Sequence, residues 1–183
     1  SCDIYIADFI GADWANIRNI GPNVNSDAWD SHPNITPDGK SLYYTSNRKG
    51  GFGKSDLYVT HRLEDGTWTK AENLGPTINT IEDEVTPFFH QVNQTLYFSS
   101  TGHLKNLGGY DIYKARWLED HWENPKNVGP LVNSNANEYY FSIAFDRGAK
   151  RALFMLSTMG GMDVEAVAVE HPDKLARIHL DPA

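Results

Sequence analysis

The chain has 183 residues, of which 40% are hydrophobic, 12% aromatic and 22% charged, a balance typical of a soluble globular protein. Its formal net charge of −8 gives an acidic surface. Such a surface repels phosphate backbones, so nucleic acid is not an expected partner. No apolar run is long enough to span a membrane, and the single cysteine excludes an internal disulfide.

Cys2 stands at the beginning of the sequence and admits two interpretations. We favour a cysteine without a special role, because no apolar signal stretch precedes it. The alternative is that Cys2 is the lipidated first residue of a bacterial lipoprotein.

A four-residue phrase recurs at a constant spacing along the chain. Asn19-Ile20-Gly21-Pro22 recurs in similar form at residues 73–76 and 127–130, always 54 residues further on. The tryptophans at positions 14, 68 and 122 keep the same step. A period of this length indicates a repeat protein in which each unit folds as one supersecondary element.

Each unit predicts four short antiparallel strands. The first begins at an acid and runs to a polar turn, for which Asp38-Gly39 is the clearest hairpin signal. The second is a short apolar run, the third begins with Asp after a Gly-rich loop, and the fourth carries the tryptophan. The second and third strands are predicted at 42–46, 56–59, 96–100, 111–114, 153–157 and 163–166.

Small sheets with apolar faces and open edges are marginal alone, and radial packing around an axis resolves both problems. We therefore predict an all-β fold, a β-propeller of four-stranded antiparallel blades with about three and a half blades present. The predicted single domain, 1–183, divides into a half blade (1–26), two blades (27–80 and 81–134) and a divergent blade (135–183). Because propellers have about four to eight blades, the chain is expected to be a fragment or an incomplete propeller. A sandwich is left open, but it would not explain the constant step.

Residues 31–48 resemble the WD-like "Pro-Asp" β-propeller repeat of the TolB-like family. Residues 73–80, 82–87 and 108–113 are similar to a subgroup of that family from Bacteroidetes-type envelope proteins, where the propeller often accompanies OmpA-like domains. The resemblance implies an exported bacterial protein located in the periplasm or at the outer membrane.

Three in-phase acids, Asp30, Glu84 and Glu138, precede the first strand of each blade, which lines the central channel of a propeller. A ring of carboxylates there could hold a divalent cation. We favour an architectural role, in which each acid accepts hydrogen bonds from backbone N–H groups. Apart from this cation, no cofactor is predicted.

Catalytic signals are lacking in the sequence. The seven histidines show no helical ligand spacing, and neither a P-loop nor a nucleophile elbow occurs. The aspartates that open the third strands, Asp56, Asp111 and Asp163, are expected to bond the preceding Gly-rich turns. No catalytic residue is predicted, and a non-enzyme is favoured.

Residues that break the repeat are the better binding candidates, because repeated residues are expected to hold the units together. Aromatic side chains out of phase suit contacts with a sugar or a protein partner. The predicted binding residues are Trp29, His103, Lys105, Asn106 and Trp117.

The predicted function is a non-catalytic propeller scaffold of the bacterial cell envelope that binds an envelope protein or peptidoglycan or another glycan. One alternative is a carbohydrate-binding propeller or a carbohydrate-active lyase or hydrolase, whose paired carboxylates would meet only in space. The other is the propeller part of a peptidase. A fold of this type hosts many functions, so the architecture alone does not choose among them.

Overall fold

The structure, a computed structural model, describes residues 2–146, 151–158 and 164–169, with side chains described as far as Ile143. Strands dominate these residues, and a short 3₁₀ turn spans Gln91–Asn93. The strands are β1 (Tyr5–Ile10), β2 (Asp13–Asn19), β3 (Asp30–Ile35), β4 (Ser41–Ser46), β5 (Asp56–His61), β6 (Glu72–Asn73), β7 (Glu84–His90), β8 (Thr95–Ser100), β9 (Asp111–Leu118), β10 (His121–Trp122), β11 (Lys126–Asn127), β12 (Glu138–Asp146), β13 (Arg151–Thr158) and β14 (Val164–Val169).

The strands form a hairpin and three antiparallel sheets in chain order. β1 and β2 make the N-terminal hairpin. Sheet A has the order β3-β4-β5-β6, sheet B combines β7 to β11 around β8 and β9, and sheet C has the order β12-β13-β14. Sequential pairing follows from tight turns such as that at Gly39, whose φ of +70° suits a residue without a side chain.

The second and third strands predicted from the sequence are confirmed where the structure describes them. The predicted fourth strand is wrong in sheets A and B, because Trp68 lies outside β6 and the corresponding segment of sheet B is divided into β10 and β11. The predicted second strands coincide with β4, β8 and β13, and the predicted third strands with β5 and β9. Their apolar runs are covered on both faces, so Tyr44, Leu57 and Phe98 are fully buried. Asp163, predicted to open the last of these strands, lies outside the described residues, and β14 begins at the next residue.

The first strand of each sheet carries the same β-bulge. The pairing of β3, β7 and β12 with the next strand shifts register in mid-strand. Within each shift stands a residue with positive φ: His32 at 51°, Thr86 at 50° and Tyr140 at 54°. Side-chain-bearing residues rarely adopt this conformation, and a bulge is one place where it is stabilised. The 54-residue step is therefore visible in the backbone as well as in the sequence.

An asparagine six residues after the start of each Asn-x-Gly-Pro phrase clamps the third strand through its amide group. In sheet A, the Asn79 side chain accepts from Leu57 N at 2.8 Å and donates to Leu57 O at 3.0 Å. It also donates to Asn73 Oδ1, which accepts from Gly75 N at 2.9 Å. Asn25 on Ile4 and Asn133 on Ile112 repeat the clamp. These asparagines are almost completely buried, so their amide groups satisfy backbone groups that water cannot reach.

Hydrophobic clusters lie between successive sheets. One joins sheet A to sheet B through Tyr43 and Leu57 against Phe89 and Phe98. A second joins sheet B to sheet C, and a third lies behind sheet A beside the N-terminal hairpin. Most of the hairpin itself is exposed: the Trp14 side chain is 69% accessible, whereas its repeat equivalent Trp68 is buried.

The described sheets do not close into a ring. Sheets A, B and C pack in sequence, and among the described strands no extensive contact joins the N-terminal hairpin to sheet C. A propeller requires its sheets to surround an axis. The predicted β-propeller is therefore not observed as a closed structure. The predictions of the second and third strands do not depend on a closed ring. The division into units at 1–26, 27–80, 81–134 and 135–183 stays a prediction.

Candidate functional site

Asp30, the first of the three in-phase acids, is buried at the start of β3. It accepts hydrogen bonds from Ser26 N at 2.6 Å, from Ser26 Oγ at 2.7 Å and from the Arg48 guanidinium at 2.6 Å. Burial alone would raise the pKa of Asp30, but hydrogen bonds from Ser46, Ser26 and Arg48 outweigh it and hold that pKa below its usual value.

Glu84 occupies the equivalent position in sheet B with a different electrostatic balance. It accepts from Thr80 N and Oγ1 at 2.7 and 2.8 Å and from Ser100 Oγ at 2.7 Å. No arginine stands where Arg48 stands in sheet A, because the equivalent residue is Gly102. Burial therefore prevails over the hydrogen bonds and raises the pKa of Glu84.

A pH-dependent effect follows for Glu84→Gln. A raised folded-state pKa stabilises the fold below the unfolded pKa of about 4.3, and this contribution is lost as pH rises through the folded value. Gln has no such titration, so the stability advantage of the parent over Glu84→Gln should shrink between pH 4 and pH 7. Urea unfolding at several pH values measures this change, with exposed Glu64→Gln as the control. An advantage that grows with pH would contradict this assignment.

Each of the three acids accepts hydrogen bonds from the turn that precedes it. In each case the carboxylate accepts from a hydroxyl four residues earlier, and Glu138 does so from Ser134 Oγ at 2.6 Å. Among the residues with described side chains, no group of three or more His, Cys, Asp or Glu is placed to hold a metal ion. The geometry thus gives the architectural interpretation a direct basis, while the divalent-cation interpretation stays a prediction.

The aspartates at the third strands bond the Gly-rich turns, as expected. Asp56 accepts from Phe52 N at 2.6 Å and Gly53 N at 3.0 Å, and Asp111 accepts from Leu107 N and Gly108 N. The carboxylates thereby fix the loops that lead into β5 and β9.

His103, predicted as a binding residue, occupies a niche between sheet-B aromatic rings. Its Nε2 lies 2.8 Å from Ile78 O, and its ring lies 5.6 Å from Phe98 and 5.1 Å from Tyr113. Burial lowers the pKa of His103, which favours the neutral ring. The contacts describe a side chain that packs within the unit.

Arg48 fills the corresponding niche in sheet A, and the sequence analysis missed it. Its guanidinium donates to Val24 O at 2.5 Å, the carbonyl equivalent to that of Ile78, and lies 4.7 Å from the Tyr58 ring centroid. The signal was present, because Arg48 breaks the repeat, but only aromatic and loop residues were considered as breaks.

Lys105 and Asn106 shape the loop before β9. Lys105 has a φ of +66° and an exposed side chain, and its carbonyl accepts from Asn127 Nδ2. Asn106 donates to Gly109 O at 2.7 Å. The backbone role of this loop is clear, and its role in binding stays a prediction.

Trp29 and Trp117 lie in different places. Trp29 is half-buried against His32, with ring centroids 5.0 Å apart, and its N–H group on the backbone donates to Asn47 Oδ1. Trp117 is half-buried and lines a cleft between sheets A and B. The structure does not bring the two tryptophans into a common pocket among those found in the described residues.

The cleft beside Trp117 has a volume of about 620 Å³. Tyr43 from β4 and Phe89 from β7 stack at its floor, 4.9 Å apart. Trp122 continues the wall, in edge contact with Phe89 at 6.1 Å and with Trp117 at 4.9 Å. Gln91 donates to Asp38 across the two sheets at 2.7 Å. A concave aromatic surface with a few polar groups is the usual form of a small-molecule site.

Comparison with known families gives a match at the C-terminal end of the chain. Residues 132–183 match the family described as "ATP-grasp domain". The matched range begins in the loop before β12 and includes β12, β13 and β14. Within it, β12 and β13 form an antiparallel hairpin from Glu138 paired with Thr158 to Asp146 paired with Arg151.

Individual relatives point to one kind of enzyme. The chain is 56% identical over 136 residues to the succinate–CoA ligase [ADP-forming] subunit beta of Rickettsia conorii, which covers 63% of this chain and 33% of that protein. It is 51% identical over 45 residues to the subunit of the same name from Polynucleobacter asymbioticus and 49% over 47 residues to that of Leptospira biflexa. These two alignments cover 25% and 26% of this chain and 12% of each relative. The chain thus spans a third or less of these relatives.

These comparisons overturn the predictions that depended on the propeller resemblance. The Pro-Asp repeat family is not the one that is matched, and the all-β propeller of three and a half blades is replaced by similarity to ATP-grasp proteins. The predicted non-catalytic scaffold and the two alternatives, a carbohydrate-active propeller and a peptidase propeller, are wrong on the same ground. The preference for a non-enzyme is also wrong, because the matched relatives are ligases.

The predictions of partners and of cellular location depended on that resemblance and are also wrong. The relatives carry the name of a ligase subunit, not of a protein that binds the envelope or peptidoglycan. The periplasmic or outer-membrane location, with Cys2 as a lipid anchor, is therefore overturned. In the part of the chain that the structure describes, no helix combines the length and apolar character needed to cross a bilayer.

The family match is compatible with one part of the cofactor prediction, the divalent cation. The matched family is named for ATP, and nucleotide phosphates are usually bound together with Mg²⁺. A divalent ion is compatible with that chemistry, and its predicted place in a central channel stays a prediction.

Proposed function

We propose that the chain supplies part of the ATP-grasp domain of an ADP-forming acid–CoA ligase. The observation that carries the proposal is the match of residues 132–183 to the ATP-grasp family, together with 49–56% identity to succinate–CoA ligase beta subunits. Succinate is the substrate class that the names of the relatives suggest. Their designation as a subunit further suggests that a second subunit is the working partner.

The chemistry of such a ligase explains why a nucleotide is needed. A carboxylate is a poor electrophile, and its condensation with a thiol becomes favourable when coupled to cleavage of ATP to ADP and phosphate. Binding must place the acid and the terminal phosphate close together and neutralise the negative charge on the phosphate oxygens. A divalent cation supplies that positive charge in nucleotide-dependent enzymes, and we propose Mg²⁺ for this role.

The matched segment is joined to sheet B through its first residues. Asn133 accepts from Ile112 N at 2.7 Å and donates to Ile112 O at 2.9 Å, and Val132 packs in the cluster between sheets B and C. The first residues of the family match are therefore held by β9. This attachment supports a role for the preceding sheets in positioning the segment.

Magnesium-dependent nucleotide binding is the first test of this function. The purified chain should bind ATP with a dissociation constant in the range of about 1 µM to 1 mM when Mg²⁺ is present, and much more weakly with EDTA. When the alpha subunit of the Rickettsia conorii succinate–CoA ligase is added, ADP release should require both succinate and CoA. Reactions that lack one substrate are the controls. Absence of ATP binding at millimolar nucleotide would contradict the proposal.

A further inference from the structure

The cleft between sheets A and B carries negative charge close to its aromatic wall. Three acids line it: Asp38 after β3, Glu72 in β6 and Asp120 before β10. All three are exposed at the rim, and no lysine or arginine is among the lining residues, which include His61 and His121. His121 Nδ1 lies 2.8 Å from Asp120 Oδ1, so Asp38 and Glu72 are the acids on which the charge argument rests. Asp38 also accepts hydrogen bonds that lower its pKa, first from Thr36 and then from Lys40 N, so this carboxylate is ionised at neutral pH.

Four aromatic side chains line the same cleft: Tyr43, Phe89, Trp117 and Trp122. Trp117 and Trp122 are half-buried, whereas Tyr43 and Phe89 beneath them are buried. The rings form a continuous series from Tyr43 through Phe89 and Trp122 to Trp117. The face of an indole ring attracts a cation, and the attraction increases where water is partly excluded.

The preceding cleft in the repeat has the opposite charge. Between the N-terminal hairpin and sheet A, a smaller cleft of about 290 Å³ is lined by Arg18 and Arg62 and by no acid. Arg18 stands 54 residues before Glu72. The acidic and aromatic lining is therefore a property of one cleft and not of the repeated architecture.

We propose that the cleft between sheets A and B binds an organic cation with an alkylammonium group. The ammonium group would lie against Trp117 and Trp122, with Glu72 and Asp38 providing long-range attraction from the rim. The acidic lining is unsuited to nucleotide phosphates, so this site is separate from the nucleotide function proposed above. The shared ligand chemistry is a free quaternary or primary amine, or the lysine side chain of a peptide.

Isothermal titration of the full chain at low salt tests the site with three probes. Choline represents a quaternary amine, Nα-acetyl-lysine amide represents a peptide side chain, and 3,3-dimethylbutan-1-ol is the neutral analogue of choline. At least one cation should bind with a dissociation constant of about 1 mM, and the neutral alcohol should bind at least about tenfold more weakly. Binding should weaken as salt is added, because exposed charges are screened. The tighter cation identifies the source of the ligand.

Charge reversal provides the decisive variant. Glu72→Lys changes an exposed residue and introduces the sign that Arg18 has in the preceding unit, so it should fold normally and weaken cation binding by about tenfold or more. Glu64→Lys makes the same charge change at an exposed position outside the cleft lining and should have a smaller effect. Trp117→Leu should also weaken binding, with exposed Trp14→Leu as its control. Equal binding of choline and the neutral alcohol, no cation binding at about 20 mM, or equal effects of the two lysine variants would overturn the proposal.

Discussion

Arg48→Met is expected to destabilise the fold by about 3–5 kcal/mol, because it leaves the buried Asp30 carboxylate without its counter-charge. The Asp30 side chain is fully buried and that of Arg48 is 18% exposed, so water cannot replace the lost ion pair well. The guanidinium also loses its hydrogen bonds to Val24 O and Tyr44 Oη and its position over the Tyr58 ring. Urea unfolding at pH 7 measures the loss.

The pH dependence of that loss of stability separates the contribution of the ion pair from the contribution of side-chain packing. The pKa of Asp30 is lowered in the folded protein, so its stabilising contribution is present above the unfolded pKa of about 3.9 and is lost as pH falls through the folded value. The difference between the parent and Arg48→Met should therefore diminish below about pH 4. Arg18→Met removes an exposed ion pair with Asp8 and is the matched control, with a much smaller expected loss because water replaces the ion pair. Equal losses for the two variants would contradict a special role for Arg48.

Asn79→Ala should cost about 3 kcal/mol, because the Leu57 N–H then lies buried without the Asn79 carbonyl oxygen that accepts its hydrogen bond. The change also removes donors to Leu57 O and Asn73 Oδ1 and leaves a small cavity. The midpoint of thermal unfolding, converted to free energy, gives the magnitude.

The control for the Asn79 variant is Asn93→Ala. Asn93 lies in the exposed 3₁₀ turn of sheet B, where truncation should change the free energy of unfolding by less than about 0.5 kcal/mol. An Asn79 variant as stable as the parent would mean that the Leu57 backbone groups find other partners. Asn79→Asp then tests whether the acceptor or the donor of the amide matters more.

Local structure was predictable because it depends on signals that lie close together in the chain. The Asp-Gly turn at residues 38–39, the apolar run of β4 and the Asp that opens β5 each act over a few residues, and all are found as predicted. The asparagine clamp on the third strand, by contrast, was not predicted, because it depends on side-chain contacts that only the coordinates show.

The arrangement of sheets and the candidate cleft could not be predicted in the same way. Closure into a ring depends on contacts between sheets far apart in sequence, and a period of 54 residues does not determine them. The cleft likewise forms from β4, β6, β7 and β10, whose side chains meet only after the sheets pack. Trp117 was singled out because it breaks the repeat, and its role in binding stays a prediction, whereas its neighbour Trp122 was set aside because it repeats.

The function predicted from the sequence failed for a related reason. A strong regular pattern in residues 19–130 determined the choice of family, whereas the segment that matches ATP-grasp proteins begins at residue 132 and departs from that pattern. Irregularity was interpreted as divergence of a terminal unit. A divergent unit and a segment of different ancestry look alike when one sequence is read by its periodicity.

The asparagine clamps bear on how these sheets avoid self-association. β6 is only two residues long, so the segments on either side of it must cover the rest of the β5 edge, since a free edge is the usual site at which sheets of different molecules join. Leu74 N donates to Leu57 O and Thr69 N donates to His61 O along this edge. Asn79 occupies the donor and acceptor of Leu57 at this edge and leaves no template for an incoming chain. A variant that lacks the clamp should therefore self-associate before it unfolds. Its light scattering should rise with protein concentration at temperatures where its circular dichroism is still that of the native protein.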